Sequence, residues 1–220
     1  MKIIPLIGLI VIAFSCTTRQ EPLTENTDSL AHPDINKADQ ERAIAMPDCH
    51  PWCKDSLLSG GHFVRYIRTN GKIKIEWGNK SFTRVLSRNY DCNEAPSRIP
   101  GIEWTSPEYI GLDYGCGSPC WGTIILPLNP TDSVAEMMYD FDRDITRNLI
   151  VYLGSDDYNI VTVENWKTRQ RQPIDTKFAC EAAFMGYCID SLKLNGNKLF
   201  IRWKKEDGGN ADEWFTVGRF

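Results

Sequence analysis

From Asp48 onward the sequence predicts an all-β, antiparallel domain, and three observations carry that reading. No window of a dozen residues keeps a helical period of apolar positions. Short runs of Ile, Val, Tyr, Phe and Trp alternate with Gly, Asn, Asp and Pro, the pattern of strands closed by turns. Two Asn-Gly pairs, Asn70-Gly71 and Asn195-Gly196, stand between such runs, and that dipeptide suits the positive backbone angles of a type I′ hairpin turn.

Taken in chain order, residues 1–15 read as an export signal. Lys2 supplies one positive charge, and the apolar run Ile3 to Phe14 is too short to span a bilayer. Small Ser15 then precedes Cys16. Charge, run and cysteine together resemble a bacterial lipoprotein signal; Ser15 fits the lipobox, while Ala13 and Phe14 depart from it. The resemblance implies that Cys16 is acylated, becomes the first residue of the mature chain and ties it to a membrane. Each buried methylene adds about 0.8 kcal/mol, so two or more acyl chains hold stably. Thr17 is not the Asp that often retains such proteins at an inner membrane, so the resemblance implies a cell-envelope site with the outer membrane favoured.

Residues 16–46 follow as a flexible tether. They are poor in aromatic and β-branched apolar side chains and rich in Asp, Glu, Thr, Asn and Gln, too polar to offset the conformational entropy of folding. About 30 flexible residues reach roughly 30 Å, enough to hold a domain clear of lipid headgroups.

The β domain occupies 47–220. Asn70-Gly71 joins His62–Thr69 to Lys72–Trp77, and Asn195-Gly196 joins Ile189–Leu194 to Lys198–Lys204. Two further hairpins pair Tyr109–Tyr114 with Trp121–Leu126 and Asn148–Leu153 with Asn159–Glu164 around Gly-containing turns. Lys-Ile-Lys-Ile-Glu-Trp at 72–77 and Lys-Leu-Phe-Ile-Arg-Trp at 198–203 both follow an Asn-Gly pair and both end in Trp, which hints at repetition. The architectures open to such hairpins are a set of propeller-like blades or a two-sheet sandwich.

Seven cysteines remain after Cys16, and an oxidising address favours bridges between them. The preferred pairs are Cys49 with Cys53, Cys116 with Cys120 across Gly117-Ser118-Pro119, and Cys180 with Cys188 across a hairpin. Cys92 is then left over, with Cys53–Cys92 as the alternative bridge. Two sharper readings compete. Cys49-His50-Pro51-Trp52-Cys53 holds the residue types of a thiol redox site but has three intervening residues and no helix start to lower a thiol pKa. Cys49, Cys53, Cys116 and Cys120 have spacings a four-thiolate zinc site accepts, but the oxidising address favours disulfides, so no metal is expected. The segment Tyr109–Cys120 is similar to a strand ending in Gly-Cys-Gly-x-x-Cys in small exported bacterial proteins without an assigned activity, which supports the 116–120 bridge.

Among other chemistry, Asp140, Asp142 and Asp144 alternate and would share one face of a strand, as calcium sites like, but Ile145 and Val151 replace the Gly and Glu an EF-hand needs. Only His32, His50 and His62 are near-neutral bases, and no nucleophile elbow, zinc-protease motif or phosphate loop occurs, so no catalytic residue and no cofactor are assigned. Paired carboxylates from Glu76, Asp91, Glu103, Glu108 and Asp113 are the route left to hydrolysis. Of seven tryptophans, Trp52, Trp104 and Trp166 sit beside turns and are the candidates for exposure.

The charge balance excludes one partner class. Removing residues 1–15 leaves 24 basic residues against 29 acidic and a net charge of −5. Nucleic-acid binding needs clustered Lys and Arg, and the run Lys167 to Arg171 is short. The sequence therefore favours a non-enzymatic, lipid-anchored envelope protein that binds a protein or glycan or acts structurally; the alternative is an envelope hydrolase acting through paired carboxylates.

Overall fold

Period-two alternation of apolar and polar side chains builds the chain into four successive antiparallel sheets. The structure is a computed structural model and describes residues 53–154, 160–176, 182, 184–205 and 208–220. Residues 1–52, which hold the expected signal, Cys16, the tether and Cys49, lie outside the described residues, as does Cys180.

The first sheet comprises β1 (Ser56–Leu57), β2 (Phe63–Thr69), β3 (Lys72–Gly78), β4 (Thr83–Val85) and β5 (Tyr90–Asp91). The second runs in sequence order through β6 (Gly101–Thr105), β7 (Tyr109–Gly117), β8 (Cys120–Pro127) and β9 (Ala135–Met138). The third follows as β10 (Asp140–Asp144), β11 (Leu149–Leu153), β12 (Val161–Asn165) and β13 (Arg171–Ile174). The fourth is β14 (Ile189–Asn195), β15 (Lys198–Lys204) and β16 (Asn210–Thr216). All four expected hairpins form.

Which faces are buried explains the texture of each strand. On β3, Ile73, Ile75 and Trp77 are buried while Lys72 and Lys74 are exposed, so that strand packs on one side. On β11 every residue is buried: Leu149, Val151 and Leu153 join the core shared with the fourth sheet, and Ile150 and Tyr152 join the core shared with the second. β8 divides likewise, with Ile124 and Leu126 against the first sheet and Ile125 against the third. Strands covered on both faces read as continuous apolar runs.

Three cores therefore lie between successive sheets, first with second, second with third, third with fourth. This is blade-like stacking of small meanders, not a two-sheet sandwich. Among the described residues no apolar cluster joins the first sheet to the fourth. The last two sheets are also stitched at their edges: the Gln172 amide donates to the Thr216 carbonyl at 2.9 Å and accepts from the Gly218 N–H at 2.7 Å.

The two Asn-Gly pairs behave differently. Asn70 and Gly71 both have positive φ, at 51° and 73°, and form the two-residue loop between paired Thr69 and Lys72, as a type I′ turn requires. In the second hairpin Asn195 pairs with Lys198, so the loop is Gly196-Asn197 with only Gly196, at φ 56°, in the positive region. Glycine leading the loop is the type II′ arrangement.

The cysteine assignments need correction. Cys116 and Cys120 are bridged, with Cα atoms 4.9 Å apart, across the end of the β7–β8 hairpin. Cys53 is a free, buried thiol, so neither the Cys49–Cys53 bridge nor the Cys53–Cys92 alternative forms. Its place in the core between the first two sheets, among Val64, Tyr66 and Tyr90, encloses it in side chains. Cys92, expected to be left over, is disulfide-bonded, and Cys188 is bonded as well.

Candidate binding cleft

The cleft is built from three strands on the boundary of the second and third sheets. Leu112 and Tyr114 of β7 face the first sheet, so the intervening Asp113 faces the other way. Strand register sets Asp113 directly across from Thr123 of β8, and the Thr123 hydroxyl lies 2.7 Å from Asp113 Oδ1.

β10 completes the group. Tyr139, just before it, sits at φ 56°, a left-handed conformation that a bulky aromatic rarely adopts, and a bulge follows between Asp140 and Asp142. Those two irregularities deliver Asp140 and Arg143 to the same spot. Asp140 Oδ2 is 3.0 Å from the Thr123 hydroxyl. Arg143 grips Asp113 with two parallel bonds, Nη1 to Oδ1 at 2.9 Å and Nη2 to Oδ2 at 2.7 Å, the planar fork that arginine and carboxylate favour.

Trp121 forms the aromatic wall. Its Nε1–H donates to the Asp140 carbonyl at 2.6 Å, and its ring meets those of Tyr139, Phe141 and Phe184 edge-on at 5.4, 5.5 and 6.3 Å between centroids. Ser97, Tyr114, Gly115 and Gly122 line the rest of an open cleft of about 390 Å³. The Cys116–Cys120 bridge closes the hairpin one residue beyond Gly115.

The electrostatics are uneven. Burial of the Asp140 side chain, 6% exposed, pushes its carboxyl up to about 6; Arg143 and the Thr123 hydroxyl oppose that shift and Asp113 adds to it. Arg143 stays firmly charged, because the hydrogen bonds and charge of Asp113 outweigh its own desolvation.

No family model matches the chain. No curated protein matches it either. Among solved structures, a crystal structure of an uncharacterised protein from Listeria monocytogenes aligns at 13% identity with a TM-score of 0.31, covering 76% of this chain and 64% of that one. A likeness at that level carries no argument about fold or activity, so function rests on the residues themselves.

The other sequence candidates scatter. Asp142 accepts the Leu194 N–H at 2.7 Å, and Asp144 accepts from Thr146 and Arg147 in a turn, so the three alternating aspartates serve three separate places and do not gather at one site. Asp91 pairs with Lys72 and Glu108 with Lys167, both at the surface. Glu76 stands across from Arg65, and Glu103 contributes to the field at Arg143. Cys53 is no redox nucleophile: burial pushes its thiol up, against the opposing pull of Arg68, so the thiolate is disfavoured. The bridge at Cys116 and Cys120 removes two of the four thiolates the zinc reading needed. His62 is present in the second strand's approach; His32 and His50 lie outside the described residues.

The tryptophan expectation fails at Trp166. Trp166 is buried, and Trp104 packs beside it at 5.5 Å between centroids, capping the core of the second and third sheets. Among the described residues Trp214 on β16 is the exposed tryptophan, 53% accessible and paired with Phe200. Trp52 lies outside the described residues.

Chemically the cleft is a charge-compensated polar surface beside an aromatic ring. Both oxygens of Asp113 are held by Arg143, so that carboxylate does not stand free to attack a substrate, and Asp140 is almost enclosed in the cleft wall. Thr123 and Arg143 were missed from sequence. A usable signal existed: Asp113 and Thr123 are the polar residues that interrupt the apolar runs of β7 and β8.

Proposed function

We propose that this chain is a lipid-anchored cell-envelope protein whose disulfide-braced β domain is a binding module, holding a glycan against Trp121 and the Asp113–Arg143 pair. One observation carries the binding reading: the cleft's charged groups are engaged with one another in a fixed fork next to an aromatic wall. Such a surface offers hydrogen-bond donors and acceptors side by side, which matches the vicinal hydroxyls of a sugar ring. The signal-like residues 1–16 and the polar tether support the envelope address.

The experiment is a glycan array probed with wild-type chain and with Trp121→Ala. Glycan binding that is lost in the variant supports the reading; binding that survives it, or no binding to any glycan, overturns it. Mass spectrometry of the membrane-extracted chain tests the anchor separately, and an unmodified N-terminus upstream of Cys16 overturns it.

A hydrolase reading has one observation in its favour: Asp113 and Asp140 approach the same hydroxyl, and one of them is desolvated. Release of shortened glycan in solution, abolished by Asp140→Asn, would decide for it.

A further inference from the structure

A threonine hydroxyl carries one hydrogen. In this cleft Thr123 Oγ1 lies 2.7 Å from Asp113 Oδ1 and 3.0 Å from Asp140 Oδ2, while Arg143 Nη1 points a donor at the same oxygen from 3.4 Å. Two ionised carboxylates offer only lone pairs, so the hydroxyl can satisfy one of them and must repel the other. Both short contacts are favourable when one of the two acids brings its own hydrogen.

The surroundings decide which. Asp113 receives both prongs of Arg143 and is the anion. Asp140 has Arg143 Nη2 only at 3.9 Å, beyond hydrogen-bonding reach, and is nearly closed off from water. The charged groups on the strands around it are turned elsewhere. Tyr152, its register partner on β11, donates to Glu164; Glu136 on β9 receives Tyr114 and Arg88; Asp142 holds the Leu194 N–H; Glu103 on β6 acts on Arg143.

We propose that Asp140, Thr123 and Asp113 form a shared-proton relay, Asp140 donating to Thr123 and Thr123 to Asp113, whose proton sets the net charge of the cleft. No bond other than O–H changes: on deprotonation Asp140 releases its proton to water, the Thr123 hydrogen becomes contested between two anions, and Arg143 is drawn toward both. Burial, which pushes the Asp140 carboxyl up to about 6 against the pull of Arg143 and Thr123, favours the protonated acid as well. With the proton present, Asp113 and Arg143 cancel and the cleft is neutral, suited to an uncharged, hydroxyl-rich ligand. Without it the cleft carries one negative charge and favours a ligand bearing an ammonium group. This rests on the binding reading for its ligand consequence only.

The test is a ¹³C NMR titration of the side-chain carboxyls in the full chain, without ligand, so its outcome is independent of whether any glycan binds. In wild type, Asp140 should titrate with a midpoint near 6, and the Asp113 carboxyl carbon should shift at that same midpoint. Thr123→Ser, which keeps the hydroxyl, retains the common step; Thr123→Val, which keeps the shape, removes it from Asp113; Asp140→Asn, whose amide mimics the protonated acid, abolishes it. An Asp113 signal with no inflection at the Asp140 midpoint in wild type overturns the relay, as does an Asp140 that titrates in the ordinary carboxylate range. For a neutral glycan that binds, affinity should fall on the order of tenfold from about pH 5 to about pH 8 in wild type and stay constant in Asp140→Asn; a pH-independent wild type overturns the ligand consequence.

Discussion

Trp104 rests against the backbone of Gly111: a Cβ placed on that glycine would stand 2.0 Å from Trp104 Cε2 and 2.1 Å from Nε1. The indole occupies the space of the missing side chain, and its other side meets Trp166. Gly111→Ala should therefore overpack the boundary of the second and third sheets and lower stability by about 1–3 kcal/mol. Urea denaturation reads the loss directly. In the background of Trp104→Ala the same substitution should do far less harm, because the contact it violates is gone.

Glu164 is wholly buried and gathers three partners, Arg171 Nε at 2.7 Å, Tyr152 Oη at 2.7 Å and Arg169 Nη1 at 3.1 Å. Removing that carboxylate leaves the Tyr152 hydroxyl orphaned inside the protein and takes one ion pair from each of two half-exposed arginines. Glu164→Ala should cost roughly 1–3 kcal/mol, less than for a fully enclosed ion pair because water screens the arginines. Equilibrium unfolding checks the size, and Glu164→Gln, which still accepts from Tyr152, should fall between the two.

Asp140 makes stability depend on pH in a direction opposite to that of a salt-bridged carboxylate. Its folded midpoint of about 6 lies above the ordinary 3.8, so between those values the folded chain binds more proton than the unfolded one. The stabilisation is complete below about pH 4, declines as pH rises and is gone above about 6, a change on the order of 2–3 kcal/mol. Thermal melts from about pH 4 to about pH 7 should show this fall in wild type and a smaller one in Asp140→Asn.

Cys53 should resist alkylation. Its sulfur is enclosed in the first core, and desolvation holds it as the thiol, so native chain should take up iodoacetamide at Cys53 far more slowly than urea-unfolded chain. Peptide mapping after each treatment measures the difference. Rapid native labelling at Cys53 would contradict its enclosure.

Joining Cys116 to Cys120 closes a short loop, for which the chain-entropy account gives about 2 kcal/mol. Replacing both with Ser should lower stability by that amount and loosen Gly115 and Trp121 at the cleft rim, so amide exchange at those residues should accelerate more than in β3.

Strand identity and pairing were legible because they depend on local alternation and turn chemistry. Ile73, Ile75 and Trp77 alternate with lysines, and Asn70-Gly71 forms the turn its dipeptide favours. The shorter strands were not legible: β4, β5 and β9 are two to four residues long and owe their existence to a neighbouring strand's free edge. The second Asn-Gly hairpin shows the limit of dipeptide rules, since the pairing of Asn195 with Lys198 moved the loop by one residue.

By itself, then, the sequence determined an all-β chain of hairpins, the 116–120 bridge and the presence of Asp113 among candidate carboxylates, all consequences of residues near one another along the chain. Tertiary structure decided the rest. Stacking four sheets face to face, an outcome of which faces are apolar on both sides, brought Asp113, Thr123, Asp140 and Arg143 together from three strands. The same stacking enclosed Cys53 and Trp166 and left Trp214 in solvent. Burial and long-range proximity are properties of packed layers, and no local pattern encodes them.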